Sequence, residues 1–171
     1  MFQINDLVIF GTHGICQVQA IGSLNMSAAD EGRLYYTLSP LYETQHSAVY
    51  TPVDNAKAPM RAAVTKEEAK KLIDRIPELE TIWVVDEKRR EERYKEIMLK
   101  NECTGWIQII KTLYLKKQKR LAEGKKNTAK DEFYLKLAED LLYGELAAAL
   151  AVDRTEVRNL IAERIKELVE P

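Results

Sequence analysis

The chain has 171 residues, 46% of them hydrophobic and 31% charged, with only 7 glycines and 5 prolines. This composition is that of a globular protein and excludes long disordered and fibrous classes. The net charge of -1 conceals a strong segregation along the chain. Residues 1–85 carry 7 basic and 10 acidic side chains, residues 86–130 carry 14 and 7, and residues 131–171 carry 5 and 10. The positive middle segment indicates a polyanionic partner, and a solvated helix surface is the alternative.

The sequence favours a cytoplasmic protein. The longest nearly apolar stretch, Leu141 to Val152, is too short to cross a bilayer and is interrupted by Gly144 and Glu145. The N-terminus carries no signal-peptide pattern. Cys16 and Cys103 lie far apart, without Cys or His neighbours at metal-ligand spacing. We therefore expect reduced thiols and no metal site.

Up to about residue 63 the sequence reads as short strands rich in β-branched and aromatic residues, separated by turn formers. Gly11 and Gly14 predict a hairpin turn after the first strand. The predicted strands are Leu7–Phe10, a strand containing Cys16, Val18 and Ala20, Leu34–Leu41, Ala48–Pro52 and Pro59–Ala63. Five short strands in so short a segment favour a small β-barrel.

After Ala63 the pattern becomes helical. Thr65 and Glu68 form the ends of a predicted capping box, and Pro77 ends that helix. An extended segment around Trp83 then leads to Asp86, which is expected to cap the next helix. The remaining predicted helices are Glu87–Lys100, Gly105–Glu123 after Thr104, Ala129–Leu150 after Thr128, and Arg154–Glu170 after Asp153.

The predicted fold class is therefore α+β in two domains. Residues 1–64 form the β domain, residues 65–85 a connecting helix and joint, and residues 86–171 an all-α helical bundle. In the last helix one face is expected to be buried, and it consists of Val157, Leu160, Ile161, Ile165, Leu168 and Val169. Of the two tryptophans, Trp106 is expected to pack in the core. Trp83 is either core or holds the two domains together.

The sequence offers little for catalysis. It has two histidines, both among the predicted strands, and neither a serine nucleophile elbow nor a phosphate-cradling glycine loop. His13 lies beside Gly14 in a predicted turn and is expected to be structural. We therefore expect a protein that is not an enzyme and that needs no cofactor.

Two clusters of cations lie in the positive segment. In the helix after Asp86, Arg89, Arg90 and Arg93 recur at three- and four-residue spacing, with Lys95 nearby, a pattern suited to phosphate oxygens. Glutamates in the same helix could instead pair with them in a purely structural surface. The second cluster consists of Lys116, Lys117, Lys119, Arg120, Lys125 and Lys126.

The second cluster closes a helix, where cations also stabilise the helix dipole. If both clusters converge in the fold, the patch would neutralise several DNA phosphates without reading bases, giving weak, salt-sensitive binding. The segment Leu146–Val157 has the rhythm of a helix-turn-helix. The acidic character of this region, with Glu156, Glu163 and Glu167 in the second helix, favours a helical-hairpin core instead.

Several short motifs, in order, resemble the CarD/CdnL family of bacterial transcription regulators. They are Asp6–Phe10, His13–Ile15, Thr51–Ala56, Arg93–Lys95 and Gly144–Ala147. The first part is also similar to the polymerase-interaction module of transcription-repair coupling factors. The resemblance covers nearly the whole chain and implies a Tudor/SH3-like β-barrel followed by a helical domain.

The resemblance further implies that the barrel binds the β subunit of RNA polymerase and that the helical domain contacts promoter DNA at the upstream edge of the transcription bubble. The positions that match the polymerase-binding strand are Val49, Tyr50 and Thr51, just before Pro52. Strand addition to such an edge uses unpaired backbone groups whatever the side chains.

The chain departs from the family pattern at two positions. Tyr50 stands where many members have an arginine in the barrel strand, which predicts a less ionic polymerase contact. Arg90 stands where many members have a tryptophan that wedges against the splayed minor groove. An arginine can enter a narrow minor groove but cannot wedge an opened base step as an indole can. The resemblance therefore implies DNA contact through Arg93 and Lys95 more strongly than it implies a wedge at Arg90.

Overall fold

The protein is described here by a computed structural model that covers residues 1–23, 32–42, 48–54 and 60–169. The chain divides into two compact units, Met1–Ala63 and Val64–Pro171. Within the described residues, an antiparallel sheet in the first unit is followed by five α-helices in the second. The predicted α+β layout is confirmed.

The N-terminal unit is a five-stranded sheet in the order β4-β3-β2-β1-β5. Its strands are β1 Leu7–Phe10, β2 Ile15–Gly22, β3 Tyr35–Pro40, β4 Val49–Pro52 and β5 Met60–Ala62. Four of them lie at or inside the predicted bounds, with Pro59 outside the described residues. No pairing joins β4 to β5 in the part of the chain that is described, so closure into a barrel stays a prediction.

One face of the sheet carries the core of this unit. Along β3 alternate residues are buried, because successive side chains of a strand point to opposite faces. The fully or almost fully buried residues of this face are Val8, Cys16, Val18, Tyr36 and Leu38. Ile9 and Ile15, which point to the opposite face, are buried as well. The Phe2 amide donates to the Tyr36 hydroxyl at 3.1 Å, which holds the N-terminal segment to this core.

The turn between β1 and β2 is a single 3₁₀ turn, Gly11–His13. Gly11 and Gly14 have φ angles of +50° and +68°, a region that strongly favours glycine. The Phe10 amide donates to the Gly14 carbonyl at 3.0 Å, and the His13 ring stacks on the Phe10 ring. The predicted glycine hairpin turn is confirmed.

The helices of the second unit begin largely where the sequence predicts. They are α1 Lys66–Asp74, α2 Glu87–Lys100, α3 Cys103–Ala122, α4 Ala129–Leu150 and α5 Arg154–Val169. The capping box of α1 is confirmed, since the Thr65 hydroxyl accepts from the Glu68 amide at 3.2 Å and the Glu68 carboxylate accepts from the Thr65 amide at 3.1 Å. Asp86 caps α2 and Thr128 caps α4.

The predicted start of α3 is wrong. The helix begins at Cys103, with Glu102 at the N-cap position, so that Thr104 lies inside the first turn. Cys103 and Trp106 are both buried, and their three-residue spacing places them on one face of the helix. Packing of that face extends the helix upstream of Thr104. Gly105 allows the close approach, because a Cβ there would lie 2.6 Å from Cγ2 of Ile97 on α2.

The core of the helical unit is formed mainly by α3, α4 and α5, and α1 packs on α4 and α5 within the same unit. Trp106 and Ile161 are almost entirely buried, as predicted. One expectation for the last helix is wrong: Leu160 is 42% exposed, since it lies off the stripe of Val157 and Ile161. The side chains of Leu168 and Val169 lie outside the described part of the chain. Of the two alternatives for Trp83, packing in the core is wrong, since the side chain is 61% exposed. No helix in the described residues has the length and apolarity that spanning a membrane requires.

Two buried charged side chains fix irregular segments of this unit. The Lys111 ammonium donates to the carbonyls of Ile76, Pro77 and Leu79 at 2.7–3.1 Å, and so holds the turn after α1. The fully buried Glu145 carboxylate accepts from the Val64 amide at 2.8 Å. Each charge is therefore paired with backbone dipoles, the condition under which a buried ion is tolerated.

Candidate functional site

The strand β4 is an edge of the sheet, and in the described residues it pairs only with β3. The Val53 amide donates to the Leu34 carbonyl at 3.0 Å. Because backbone hydrogen bonds alternate in direction along a strand, Thr51 and Val49 turn their backbone groups toward β3. Tyr50 consequently turns its N–H and C=O to the open side of the sheet.

The four residues predicted to bind polymerase, Val49, Tyr50, Thr51 and Pro52, form β4. They are not equivalent. The Thr51 side chain is buried, whereas Tyr50 is 46% exposed, and Pro52 has no amide hydrogen. The open edge therefore presents one donor, the Tyr50 amide. A strand that adds here would be positioned by that single N–H and by the carbonyls of Tyr50 and Pro52.

The outer face beside this edge is aromatic. Thr37 lies directly opposite Tyr50, and Tyr35 lies opposite Pro52. The Arg33 guanidinium lies 5.9 Å from the centre of the Tyr35 ring and forms an ion pair with Asp54 at 3.2 Å. An added strand would thus meet tyrosine side chains on one face, which is the less ionic contact that Tyr50 predicts.

In the helical unit, some cations from each of the two predicted clusters line the same cavity. A cavity of about 290 Å³ lies between the segment before α2, the first half of α2 and the second half of α3. We call it the basic groove. It is lined by Ile82, Trp83, Arg90, Tyr94, Thr112, Lys116, Lys119, Arg120 and Glu123. One cation of the first cluster and three of the second therefore face the same space.

Arg90 supports the backbone that carries Trp83 in this groove. Its Nε donates to the Val84 carbonyl at 3.0 Å and its Nη2 to the Val85 carbonyl at 3.4 Å. On the other side of Trp83, the Ile82 amide donates to the Thr112 hydroxyl at 2.8 Å. The backbone on both sides of the exposed Trp83 is therefore anchored. The sequence does not reveal this role of Arg90, because the bonds are made by tertiary geometry.

Several other predicted DNA-contacting cations form ion pairs. Arg93 does not line the groove and bonds Glu96 at 3.2 Å. Exposed pairs of this kind contribute about 0–1 kcal/mol and can exchange for phosphate. The other pairs are Lys95 with Glu91, Lys116 with Asp131, Lys117 with Glu132, and Lys125 with Glu123.

The remaining predicted DNA-contacting cations form no ion pairs with carboxylates in the described part of the chain. They include Arg89, Lys119 and Lys126. The Arg120 Nε donates to the Lys126 carbonyl at 2.9 Å, which leaves the terminal nitrogens of that guanidinium for other acceptors. Lys119 and Arg120 are therefore the groove cations that a phosphate could reach at least cost.

Tyr94 forms a wall of the basic groove and is 2% exposed. Its ring packs against Tyr134 with the ring centres 5.4 Å apart. Its buried hydroxyl has no hydrogen-bond partner among the described residues. Burial raises the pKa of Tyr94 from 10 to about 12. The sequence gives no sign of this unpaired hydroxyl.

We expect Tyr94→Phe to stabilise the protein by about 1 kcal/mol at neutral pH, because it removes a buried hydroxyl without a partner. The variant should also change the alkaline limb of the stability profile. The folded protein holds the phenol proton more tightly than the unfolded chain, so wild-type stability should fall as the pH rises from 10 to about 12. Urea unfolding at a series of pH values checks both effects. A destabilised variant with an unchanged alkaline slope would contradict them.

Comparison with known families gives one result for the N-terminal unit. Residues 2–64 match the model of the CarD-like/TRCF RID domain. The match coincides with the first compact unit and includes all five strands and the β4 edge. The helical unit, with the basic groove, lies outside it. No curated protein gives a significant match.

Proposed function

From the premise that its N-terminal unit is a CarD-like/TRCF RID domain, we propose that the chain is a transcription regulator that catalyses no reaction. In this proposal the N-terminal unit binds the β subunit of RNA polymerase through the β4 edge. The helical unit binds the backbone of promoter DNA through the basic groove and changes the stability of the open promoter complex. The domain match is the observation that carries the proposal.

The geometry of β4 supports the polymerase half of the proposal. An edge strand with outward backbone groups can pair with a strand of a partner protein. Here the pairing would centre on the Tyr50 amide, and the exposed ring of Tyr50 and the half-buried ring of Tyr35 would cover one face of the incoming strand. The experiment that tests this half is the affinity of the full chain for the isolated β subunit, with a charge introduced by Tyr50→Glu as the first variant.

The basic groove supports the DNA half of the proposal. Four cations line it and only one acid, Glu123, which also pairs with Lys125. Contacts of this kind reach phosphates rather than base edges, so binding should be weak, general and sensitive to salt. Trp83, which lies seven residues before Arg90, also lines the basic groove, and its indole is exposed. We assign to Trp83 the contact with an opened base step, since Arg90 supports its loop.

We expect Lys119→Glu to weaken duplex DNA binding by about tenfold and to lower the slope of log affinity against log salt by about one. The reason is that Lys119 lines the groove with no ion pair in the described residues, so its loss removes one phosphate contact. Fluorescence anisotropy with duplexes of several sequences measures both quantities. Arg90→Glu is a less direct test, because it would also release the Trp83 loop.

Lys136→Glu is the matched control for this charge reversal. Lys136 is an exposed residue of α4 that does not line the groove. It should leave the salt slope unchanged. Equal losses in both variants would show that net charge, not the groove, governs the affinity.

A polymerase-binding module without DNA binding is the second candidate function. It is favoured by one observation, the ion pairs that already engage five of the predicted DNA-contacting cations. In that case the full chain would bind the β subunit normally, and neither the wild type nor Lys119→Glu would show significant binding to duplex DNA. The anisotropy measurement therefore distinguishes the two candidates.

A further inference from the structure

We propose that the basic groove binds a free purine nucleoside polyphosphate, with the base on Trp83 and the phosphates on Lys119 and Arg120. The binding itself does not depend on the proposed function. One consequence does rest on the proposed function. Because DNA would bind the same cations, the nucleotide should compete with DNA for the groove and so regulate DNA binding.

The aromatic side of the groove fits a base. Trp83 lines the cavity and is 61% exposed, although an indole of this size is normally buried. Its backbone is fixed by the Thr112 hydroxyl on one side and by Arg90 on the other. A held, exposed aromatic ring is a stacking platform, and the stacking is strongest with the large faces of purines.

The opposite side of the groove fits phosphates. Lys119 has no ion pair in the described residues, and Arg120 uses only its Nε, on the Lys126 carbonyl. A guanidinium with free terminal nitrogens binds phosphate oxygens in pairs, and a lysine adds a point charge. Lys116 is held by Asp131 and contributes less. Lys119 and Arg120 are consecutive residues in the last turn of α3, and Lys116 lies about one turn before them.

The wall between these sides carries an unused polar group. The Tyr94 hydroxyl is buried and has no partner in the described part of the chain, at a cost to stability that a phenylalanine would avoid. The Tyr94 side chain lines the groove, so a small shift of its ring would let a ribose or phosphate oxygen of a ligand supply the missing acceptor. This observation is independent of the charges and of Trp83.

The size of the groove favours a free nucleotide over a strand. At about 290 Å³ the cavity is near the lower end of small-molecule sites and holds one nucleotide. An unpaired nucleotide of a DNA strand shares the same chemistry, so the test must separate the two sources. The proposed ligand is the free nucleotide.

The test is titration of the full chain with ATP and GTP, followed by tryptophan fluorescence and by calorimetry. Trp83 is exposed and Trp106 is fully buried, so quenching by a bound base should come from Trp83 alone. We expect saturable quenching with a dissociation constant below about 1 mM. Lys119→Glu should weaken binding by about tenfold. Tyr94→Phe should weaken it several-fold while the protein remains at least as stable as the wild type.

Four controls, two variants and two alternative ligands, can refute the proposal. Trp83→Phe should abolish the optical signal and retain weaker calorimetric binding, and Lys136→Glu should change neither. Binding of pyrophosphate as tight as that of ATP would overturn the role of the base. Quenching by an oligothymidine but not by ATP or GTP up to about 5 mM would assign the groove to DNA strands alone and overturn the proposal.

The competition experiment separates this inference from the proposed function. ATP added to a preformed complex with labelled duplex should release the DNA. If the protein binds no DNA, the nucleotide titration still tests nucleotide binding independently. If DNA binds and ATP neither quenches Trp83 nor displaces the duplex, the inference is wrong and the proposed function is untouched.

Discussion

Replacing Tyr50 by proline is expected to reduce the affinity for the RNA polymerase β subunit by at least about 100-fold while the sheet stays folded. Tyr50 carries the one outward N–H of β4, and its loss removes the central hydrogen bond of an added strand. The proline ring would also occupy the position that the incoming carbonyl needs. Proline is tolerated on edge strands where the N–H faces solvent, so β3 and β4 should still pair.

Two variants at the same strand serve as controls. Tyr50→Thr keeps the N–H and a β-branched side chain, and should bind within a few-fold of the wild type if the backbone carries the affinity. Thr51→Pro would remove an inward N–H from a buried position and should destabilise the unit itself. Binding is measured on immobilised β subunit, with circular dichroism melts for each variant. A folded Tyr50→Pro protein with wild-type affinity would remove β4 from the interface.

Lys111→Met is expected to destabilise the helical unit by about 2–4 kcal/mol. The lysine is 5% exposed, and its ammonium bonds three carbonyls in the turn after α1. Methionine fills a similar volume but leaves the Pro77 and Leu79 carbonyls without this donor. Burial lowers the pKa of Lys111, which shows that desolvation opposes the charge, and we expect the lost hydrogen bonds to outweigh that relief. Urea unfolding at neutral pH measures the difference.

Lys119→Met, on the exposed surface of the same helix, is the matched control and should change stability by no more than about 0.5 kcal/mol. The two variants make the same chemical change in different surroundings. Equal stabilities for both proteins would mean that the carbonyl contacts of Lys111 contribute nothing to the fold.

Local signals in the sequence predict most of the secondary structure. Asp86 and Thr128 each cap a helix at the predicted residue, because a cap depends on a side chain and on amides two or three residues away. The start of α3 could not be predicted in this way. It is set by burial of Cys103 against distant residues, and the capping preference of Thr104 is overridden by that packing.

The arrangement of side chains around the basic groove could not be predicted from the sequence. The cations themselves are evident from composition, but which of them converge depends on how α2 packs on α3. Arg90 turns into the groove and supports Trp83, whereas Arg93 pairs with Glu96 outside it. Likewise, the alternation of β4 identifies a strand, but only the pairing with β3 shows that the Tyr50 amide faces outward. Partners set by tertiary contacts leave no local pattern to read.

The most direct test of the central claim is hydrogen exchange at the Tyr50 amide, measured on the full chain with and without the RNA polymerase β subunit. In the free protein this N–H faces the open edge and should exchange rapidly, while the Thr51 amide, turned toward β3, should be slow. We predict that the β subunit slows exchange at Tyr50 by at least about tenfold and leaves Thr51 nearly unchanged. Binding that protects other segments and leaves the Tyr50 amide at its free rate would contradict the account.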